Sequence, residues 1–334
     1  MNPCCYRPHA GRRKIWFSLA VLSAPGFCNG AAAQTYPLKP VRVVLASAAG
    51  GSVDALTRLF ARKLSDALGQ PFVVENRPGG GGIPGYTFVA KSPPDGHTLL
   101  AVGLTFTSSF ALRSDVAIDP LRDFAPISLM TRSPWLLLVN PSVPAQSVKE
   151  LIALAKARPG VLNFAGGGLG AGTHLLAVWF FQAANIKAAY IPYASGGTAQ
   201  STIDTVAGRA DAAIVTYFSA KPFLATARLR ALGISAARPS KWLPDVPPIA
   251  SQGVAGFETY TFNGLVGVAG TPPALLNRLS QELAAFAKTR EIQDRIVDDA
   301  GEPVGSTPEG FRQFIQTEVT HWRRLAKEAG IKLE

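Results

Sequence analysis

The chain has 334 residues, enough for about two domains and a sizeable core. Hydrophobic residues make up 47 % of it and charged residues 16 %, which excludes an intrinsically disordered chain, and 32 glycines and 26 prolines interrupt every apolar stretch before it could span a membrane. The formal net charge of +11 comes from scattered basic residues, so it indicates a weak attraction for anions and predicts no nucleic-acid surface.

The first 33 residues predict a secretory signal peptide. Four basic residues and no acidic residue occur in this segment, residues 15–24 are apolar, and residues 31–33 are three alanines that offer a cleavage site before Gln34. We therefore expect export to the periplasm with cleavage near Ala33. The pair Arg12 and Arg13 leaves both the general secretory route and the twin-arginine route open.

The cysteines favour the same destination. Cys4, Cys5 and Cys28 all lie inside the predicted signal, so the mature chain would contain no cysteine and could form no disulfide. An absence of thiols suits an oxidising compartment. Removal of the four basic residues of the signal would lower the net charge to +7, from 29 basic and 22 acidic side chains.

Beyond the signal, strand and helix patterns alternate in two series, which predicts an α/β protein with mostly parallel sheets flanked by helices. In the first series, strands are predicted at 41–46, 72–75, 98–102, 127–130 and 136–139, with an amphipathic helix at 52–68. In the second, strands are predicted at 161–165, 189–192, 212–215 and 231–234, alternating with helices at 147–157, 173–184 and 198–207.

The C-terminal part returns to helical periodicity. An apolar run at 265–269 precedes a Thr-Pro pair that predicts the start of a helix, which extends to Phe286. Thr307-Pro308 predicts the start of a second, long amphipathic helix in the same way. No internal repeat and no low-complexity linker occurs. We therefore expect two lobes, residues 34–132 with 258–334 and residues 133–257, with the C-terminal segment returning to the first lobe.

Two glycine-rich turns are the candidate binding elements. Residues 46–54 and 165–174 each carry the chain from a strand to a helix N-terminus, where free backbone N–H groups and the helix dipole favour an anion. Each turn alone could be a tight structural connection. Together, on separate lobes, they predict a cleft that binds an anion between them.

Other motifs give weaker signals. Asp54 lies in the first turn of its predicted helix, where it could support the dipole or contact a ligand, and His174 at a helix start is predicted to be neutral. The histidines of the mature chain are isolated from one another, so neither a metal site nor a cofactor is predicted. Gly80, Gly82 and Gly85 match a dinucleotide-binding spacing, but prolines interrupt it and it lacks an acidic partner.

Several short motifs, in order and with similar spacing from residue 36 to residue 331, resemble the Bug family, the periplasmic receptors of tripartite tricarboxylate transporters. These motifs are Tyr36-Pro37 with Lys39-Pro40 and residues 50–54, 74–79, 94–96, 123–126, 192–193, 243–247 and 301–305. The resemblance implies a two-lobed type II periplasmic-binding-protein fold, a monomer whose hinged cleft closes on a small organic carboxylate and passes it to a membrane permease.

In that family the acid is held mostly by backbone N–H groups, small hydroxyls and ordered waters. The matching positions of this chain are therefore expected to bind the ligand: Ala48, Ala49, Gly50, Gly51, Ser52, Asp54, Thr105, Thr107, Ser108, Gly166, Gly167, Gly168, Thr173, His174, Tyr193 and Thr216.

The chain also departs from the family pattern. The usual Pro-Pro is Ala48-Ala49, hydroxyls of the second turn are replaced at residues 166, 167 and 171, and the usual Asp-Asn is Val215-Thr216. Fewer fixed polar groups predict a monocarboxylate with a bulkier and less polar body. Its acid is expected on residues 49–52 and its body toward residues 166–168.

Three functions remain open at this stage. A solute-binding receptor is favoured because turns rich in glycine and hydroxyls can bind an acid but supply no activated nucleophile. An exported hydrolase or isomerase could use the same cleft, for example through a dispersed triad of Ser52, Asp54 and His174. A ligand sensor for a membrane kinase would share both fold and cleft.

Overall fold

The computed structural model of the protein describes residues 36–113, 116–193, 197–240, 242–297, 299–328 and 330. The predicted signal peptide and its three cysteines lie outside this part. The strands of the described part are β1 Val41–Leu45, β2 Phe72–Asn76, β3 Thr98–Val102, β4 Phe124–Val139, β5 Asn163–Gly167, β6 Ala189–Tyr193, β7 Ala212–Thr216, β8 Arg230–Ile234, β9 Tyr260–Val268 and β10 Glu302–Pro303.

The helices surround these strands. They are α1 Ser52–Leu68, α2 Ile83–Ala90, α3 Leu104–Leu112, α4 Val148–Ala157, α5 Gly172–Ala183, α6 Gly197–Val206, α7 Tyr217–Leu224, α8 Pro273–Ala287, α9 Arg290–Val297 and α10 Pro308–Glu328, with short 3₁₀ turns at Gly80–Gly82 and Ile249–Gln252. Within the described residues, no helix combines the length and the apolar character needed to cross a membrane.

The strands form two groups that share β4. In the first group, β1 pairs in parallel with β2 and β3, β3 pairs antiparallel with β9, and β9 pairs with residues 124–134 of β4. In the second group, residues 135–139 of β4 pair antiparallel with β7 and with β8, and β5 lies in parallel between β7 and β6. The neighbours of β4 therefore change between Pro134 and Trp135.

Most elements lie where the sequence predicts them, and α1 has the predicted bounds. Two predictions need correction. The separate strands at 127–130 and 136–139 are one strand of 16 residues, because the intervening polar and proline residues keep their pairing with β9. The strand predicted at 161–165 begins at Asn163 and ends at Gly167, so the second glycine-rich turn starts within the sheet.

Four helices were not predicted, namely α2, α3, α7 and α9. The case of α3 shows why: seven of its nine residues are buried, among them Phe106, Thr107 and Ser108. A helix that is covered on all sides has no polar face, so its sequence lacks the apolar periodicity that marks α1 and α10. The segment after β3 therefore had no helical signal, although it forms part of the site described below.

The predicted amphipathic C-terminal helix is α10. It packs on α3 and β4, and it buries a stripe that includes Phe311, Ile315, Val319 and Trp322. Phe311 is fully buried against β9, where Gly264 leaves room for its ring, since an added Cβ at Gly264 would overlap that ring. The predicted amphipathic stripe therefore closes the core beside β9.

We expect Phe311→Ala to lower the free energy of unfolding by about 3–5 kcal/mol, because the lost ring leaves a cavity that the rigid β9 backbone does not fill. Urea unfolding followed by tryptophan fluorescence measures this loss. Phe311→Leu keeps most of the volume, so its loss should be clearly smaller. A loss below about 1 kcal/mol for the alanine variant would contradict this packing.

Candidate functional site

A cavity of about 320 Å³ lies where the strands of both groups end. Its wall consists of the segments that follow the carboxyl ends of β1, β2, β3, β5, β6 and β7, the place where open α/β sheets bind ligands. The segments on the wall are residues 45–49, 51–54, 78–82, 103–105, 167–169, 171–173 and 197–198, together with Tyr86, Ala101, Arg113, Trp135, Tyr193, Thr216 and Thr261.

The cavity brings together eleven of the sixteen predicted ligand-binding residues. They come from all the predicted segments: Ala48, Ala49, Gly51, Ser52, Asp54, Thr105, Gly167, Gly168, Thr173, Tyr193 and Thr216. The other five, Gly50, Thr107, Ser108, Gly166 and His174, lie beside the wall but are not on it.

Local hydrogen bonds and packing account for four of these positions, and Gly50 belongs to the turn that Asp54 holds. Within α3, the hydroxyls of Thr107 and Ser108 donate to the carbonyls of residues 104 and 105 at 3.1 and 3.3 Å. Gly166 is covered by the Tyr190 ring, because an added Cβ would overlap its hydroxyl. His174 packs on the same ring at 4.8 Å and its Nδ1 accepts from the Gly170 amide at 3.3 Å, while burial lowers the pKa of His174, as expected for a neutral imidazole.

Asp54 fixes the first turn. Its carboxylate accepts from the Gly50 amide at 3.0 Å, from Arg58 Nε at 3.2 Å and from Asn76 Nδ2 at 3.0 Å. Burial acts to raise the pKa of Asp54, but the hydrogen bonds from Arg58, Gly50 and Asn76 and the charge of Arg58 together lower it. Asp54 is therefore an ionised carboxylate whose charge is compensated by Arg58, and it supports the Gly50 turn from behind.

Ser52 is held by a second buried carboxylate that sequence reasoning did not find. Its Oγ donates to Asp299 Oδ2, and the Phe218 amide donates to Asp299 Oδ1 at 2.9 Å. Asp299 is 1 % exposed, and burial raises its pKa to about 6, although the bonds from Ser52 and Phe218 and the charge of Arg295 oppose the rise. One carboxyl group thus joins the N-terminus of α1 to that of α7.

The second turn is supported by hydroxyls in the same way. Thr173 Oγ1 accepts from the Gly167 amide at 2.8 Å, and Tyr190 donates its hydroxyl to the Gly167 carbonyl at 2.7 Å. Across the cavity, Thr105 Oγ1 accepts from the Gly172 amide at 3.4 Å. The threonine hydroxyls that were predicted to hold a ligand therefore also hold the wall together.

The wall includes residues that the sequence analysis did not select: Arg113, Trp135 and the glycine turn at 79–82. The indole Nε1 of Trp135 and the Nε of Arg113 are buried and have no hydrogen-bond partner. The glycines had a sequence signal in the rejected dinucleotide spacing. Arg113 and Trp135 had none, because neither belongs to a motif whose spacing points to a ligand.

The arrangement can bind a ligand but does not assemble the triad of Ser52, Asp54 and His174 that the enzyme alternative would use. Asp54 is engaged by Arg58 and Asn76, His174 lies off the wall, and Ser52 donates to Asp299 instead of to a histidine. Within the described residues no group of three His, Cys, Asp or Glu side chains could hold a metal ion. What the wall offers are backbone N–H groups at the start of α1, which lack partners within the helix, and a few free side-chain donors.

A cavity between two groups of strands, lined by strand-to-helix turns, defines the class of two-lobed solute-binding proteins. Residues 56–331 match the family described as the tripartite tricarboxylate transporter family receptor. The match covers most of the chain, which therefore belongs to this family of solute-binding receptors.

Individual relatives agree with this assignment. Protein BugT of Bordetella pertussis is 32 % identical over 328 residues, covering 96 % of this chain and 97 % of BugT. The structure of R. palustris Rpa4515 with adipate is 32 % identical with a TM-score of 0.83, covering 89 % of this chain and 99 % of that one. The periplasmic binding protein BugD is 28 % identical with a TM-score of 0.83, covering 90 % of this chain and 100 % of that one.

These comparisons confirm the expected family and the expected two-lobed periplasmic-binding-protein fold. BugD is described as a periplasmic binding protein, which agrees with the compartment predicted for this chain.

We predict that Asp299 makes the protein less stable as the pH rises. The pKa of Asp299 is raised from 3.8 in a model peptide to about 6, so the folded protein binds more protons than the unfolded chain in this window, and stability falls as the pH increases through it. Asp299→Asn removes the charge. The free energy of unfolding of this variant minus that of wild type should therefore increase by about 2 kcal/mol between pH 4.5 and pH 7.5.

Urea unfolding at several pH values measures this difference. Asp66→Asn, which removes an exposed carboxylate from α1, is the matched control and should show no comparable pH dependence. A difference between Asp299→Asn and wild type that stays constant from pH 4.5 to pH 7.5 would contradict the prediction.

Proposed function

We propose that this protein is an extracytoplasmic receptor that captures a small organic carboxylate in the cavity and delivers it to a membrane permease. The observation that carries the proposal is the cavity at the carboxyl ends of strands from both groups, with the first turn of α1 on its wall. The free backbone N–H groups of that turn and the helix dipole favour a carboxylate. A related receptor of known structure has adipate bound, which supports the same ligand class.

The carboxylate is proposed to bind at Gly51 and Ser52. Gly51 has an extended backbone with φ −84°, and a Cβ added to it would meet no atom within 4 Å, so its open side faces free space at the wall. Ser52 uses its hydroxyl hydrogen for Asp299, so it would bind a ligand through its backbone N–H. The remaining nine residues that were predicted and lie on the wall complete the proposed site, and the five beside it act as support.

The change of partners within β4 supports the predicted lobe boundaries. We propose that residues 34–132 and 258–334 form the first lobe and residues 133–257 the second, because β4 leaves β9 and joins β7 between Pro134 and Trp135. The return connection follows β8, which ends at Ile234, and leads to β9, which begins at Tyr260.

One alternative to this proposal is disfavoured by the hydrogen bonds of Ser52, and the other shares the same cavity. An exported enzyme would need a nucleophile and a base on the wall, and Ser52 with Asp299 and Phe218 forms a structural link instead. A sensor for a membrane kinase would use the same cavity, so genes beside this one decide: permease subunits support uptake, and a histidine kinase supports sensing.

We propose a monomer that does not bind nucleic acid, holds no metal or other cofactor and catalyses no reaction.

We expect at least one small organic acid to stabilise the purified protein. A ligand at 100 times its Kd adds about 2.7 kcal/mol to the free energy of unfolding, which a thermal-shift panel of mono-, di- and tricarboxylates detects and calorimetry confirms. Gly51→Val should abolish the shift without lowering the melting temperature of the free protein by more than a few degrees, because its side chain enters open space.

Ala285→Val, an exposed change on α8, is the control and should bind as wild type does. Stabilisation that survives Gly51→Val would show that the acid binds elsewhere. A panel without any binding acid, or conversion of a bound acid into product, would count against the receptor.

We expect the exported form to begin near Gln34. Mass spectrometry of the protein purified from periplasm should give the mass of residues 34–334, since cleavage after three alanines suits the signal peptidase. Retention of Met1, or a lipid on Cys28, would show that the segment has another role.

A further inference from the structure

Arg113 is the one cationic side chain on the cavity wall among the described residues. It follows α3 and is partly buried, and its Nε has no contact with solvent and no hydrogen-bond partner. No carboxylate of the described part lies within ion-pair distance of its guanidinium. A cation placed in this way is costly unless something else supplies the missing negative charge.

The described part of the fold gives this charge no partner. An arginine at the end of a helix often donates to the last carbonyl groups, but here only the backbone N–H of Arg113 does so, to Ser109 at 3.1 Å. No aromatic ring of the described part stacks on it, in contrast to Arg77, which lies over the Phe88 ring at 3.8 Å. The local structure therefore does not explain why an arginine stands at this position.

The surroundings keep the side chain at the wall. Ser109 Oγ donates to the Gly81 carbonyl at 2.7 Å and so ties the glycine turn to α3. Gly81 has φ 63°, and a Cβ added to it would lie 3.1 Å from Ser109 Oγ and 4.0 Å from Arg113 Nε. A side chain at Gly81 would press on Ser109, so the glycine lets the turn lie close against the Arg113 side chain.

The charges on the wall do not balance without a ligand. Asp54 is the one carboxylate on the described wall, and Arg58 already compensates it at 3.0 Å. A ligand with a single carboxylate at Gly51 and Ser52 would satisfy the start of α1 and leave Arg113 unpaired. A second anionic group would pair with Arg113 and remove the cost of its isolation.

We propose that Arg113 binds a second anionic group of the ligand and makes this receptor prefer dicarboxylates over monocarboxylates of the same length. The inference rests on the proposed function, because it assigns a residue and a ligand class to the same cavity. It also revises the monocarboxylate expected from the sequence. That expectation followed the loss of hydroxyls in the second turn, whereas Arg113 adds charge from the end of α3.

Trp135 provides the matched control for this proposal. It lies on the same wall, it is 4 % exposed, and its Nε1 is the other unpartnered donor. Unlike Arg113 it carries no charge. Trp135→Phe removes this donor and keeps an aromatic ring on the wall, so it should not change the preference for two carboxylates over one.

Calorimetry with succinate, glutarate and adipate against butyrate, valerate and hexanoate tests the proposal. Wild type should bind the best diacid at least about 30-fold more tightly than the monoacid of the same length. In Arg113→Gln this ratio should fall to within about 3-fold, mainly through loss of diacid affinity, and Arg113→Lys should restore part of it. Trp135→Phe should keep the wild-type ratio.

The outcomes separate this inference from the proposed function. If acids bind wild type but the ratio is the same in Arg113→Gln, or is close to one in wild type, the role of Arg113 is wrong and the receptor stands. If neither these acids nor the wider panel bind, the proposed function fails and the inference fails with it. Melting temperatures of the free variants establish that each is folded. If Arg113→Gln does not fold, Arg113→Lys provides the test.

Discussion

The structure depends on the change of partners within β4. Its first part pairs with β9 and its last five residues pair with β7 and β8, so one strand belongs to both groups. This brings the carboxyl ends of β1 and β3 to the same cavity as those of β5 and β7, and each end leads into a turn and a helix N-terminus. The anion-binding character of the site follows from this topology, because the free backbone N–H groups at the start of α1 lie where strands of both groups end. A motion that separates the two groups would have to bend β4 near Pro134.

The charged groups around the cavity differ in how deeply they are buried and in what compensates their charge. Asp54 lies on the wall and is neutralised by Arg58, whose side chain is 48 % exposed, so the turn gains a rigid support without a net charge. Asp299 lies deeper, where burial keeps its proton into the mildly acidic range and where it joins Ser52 to the Phe218 amide. Among the described residues of the wall, Arg113 is the charged side chain without a compensating partner. The first two groups shape the site, and the third leaves it with the electrostatic complementarity that an acidic ligand requires.

The sequence was sufficient for the fold but only for part of the site. Strands and amphipathic helices with one exposed face carry their own periodicity, and α1 and α10 were found for that reason, whereas α3 is covered on all sides and shows no such pattern. The glycine-rich pattern between strand and helix located the turns after β1 and β5, and the resemblance to a receptor family selected the residues expected to bind the ligand. It could not locate Asp299, which meets Ser52 across 247 residues of sequence, or Arg113, whose importance comes from its lack of a partner. Both are products of tertiary structure.

The number of hydroxyl-bearing residues overestimates how many polar groups such a site offers to a ligand. Two of the five predicted residues beside the wall show why. The hydroxyls of Thr107 and Ser108 donate to helix carbonyls, and on the wall itself the hydroxyl of Thr173 accepts from the Gly167 amide. A hydroxyl that is already bonded holds the backbone in place but offers a ligand less than its residue type suggests. Selectivity then rests on the few donors that the fold leaves free. The loss of hydroxyls from the second turn consequently changes the rigidity of the wall more than its polarity, while one unpaired guanidinium decides how much negative charge the cavity can accept.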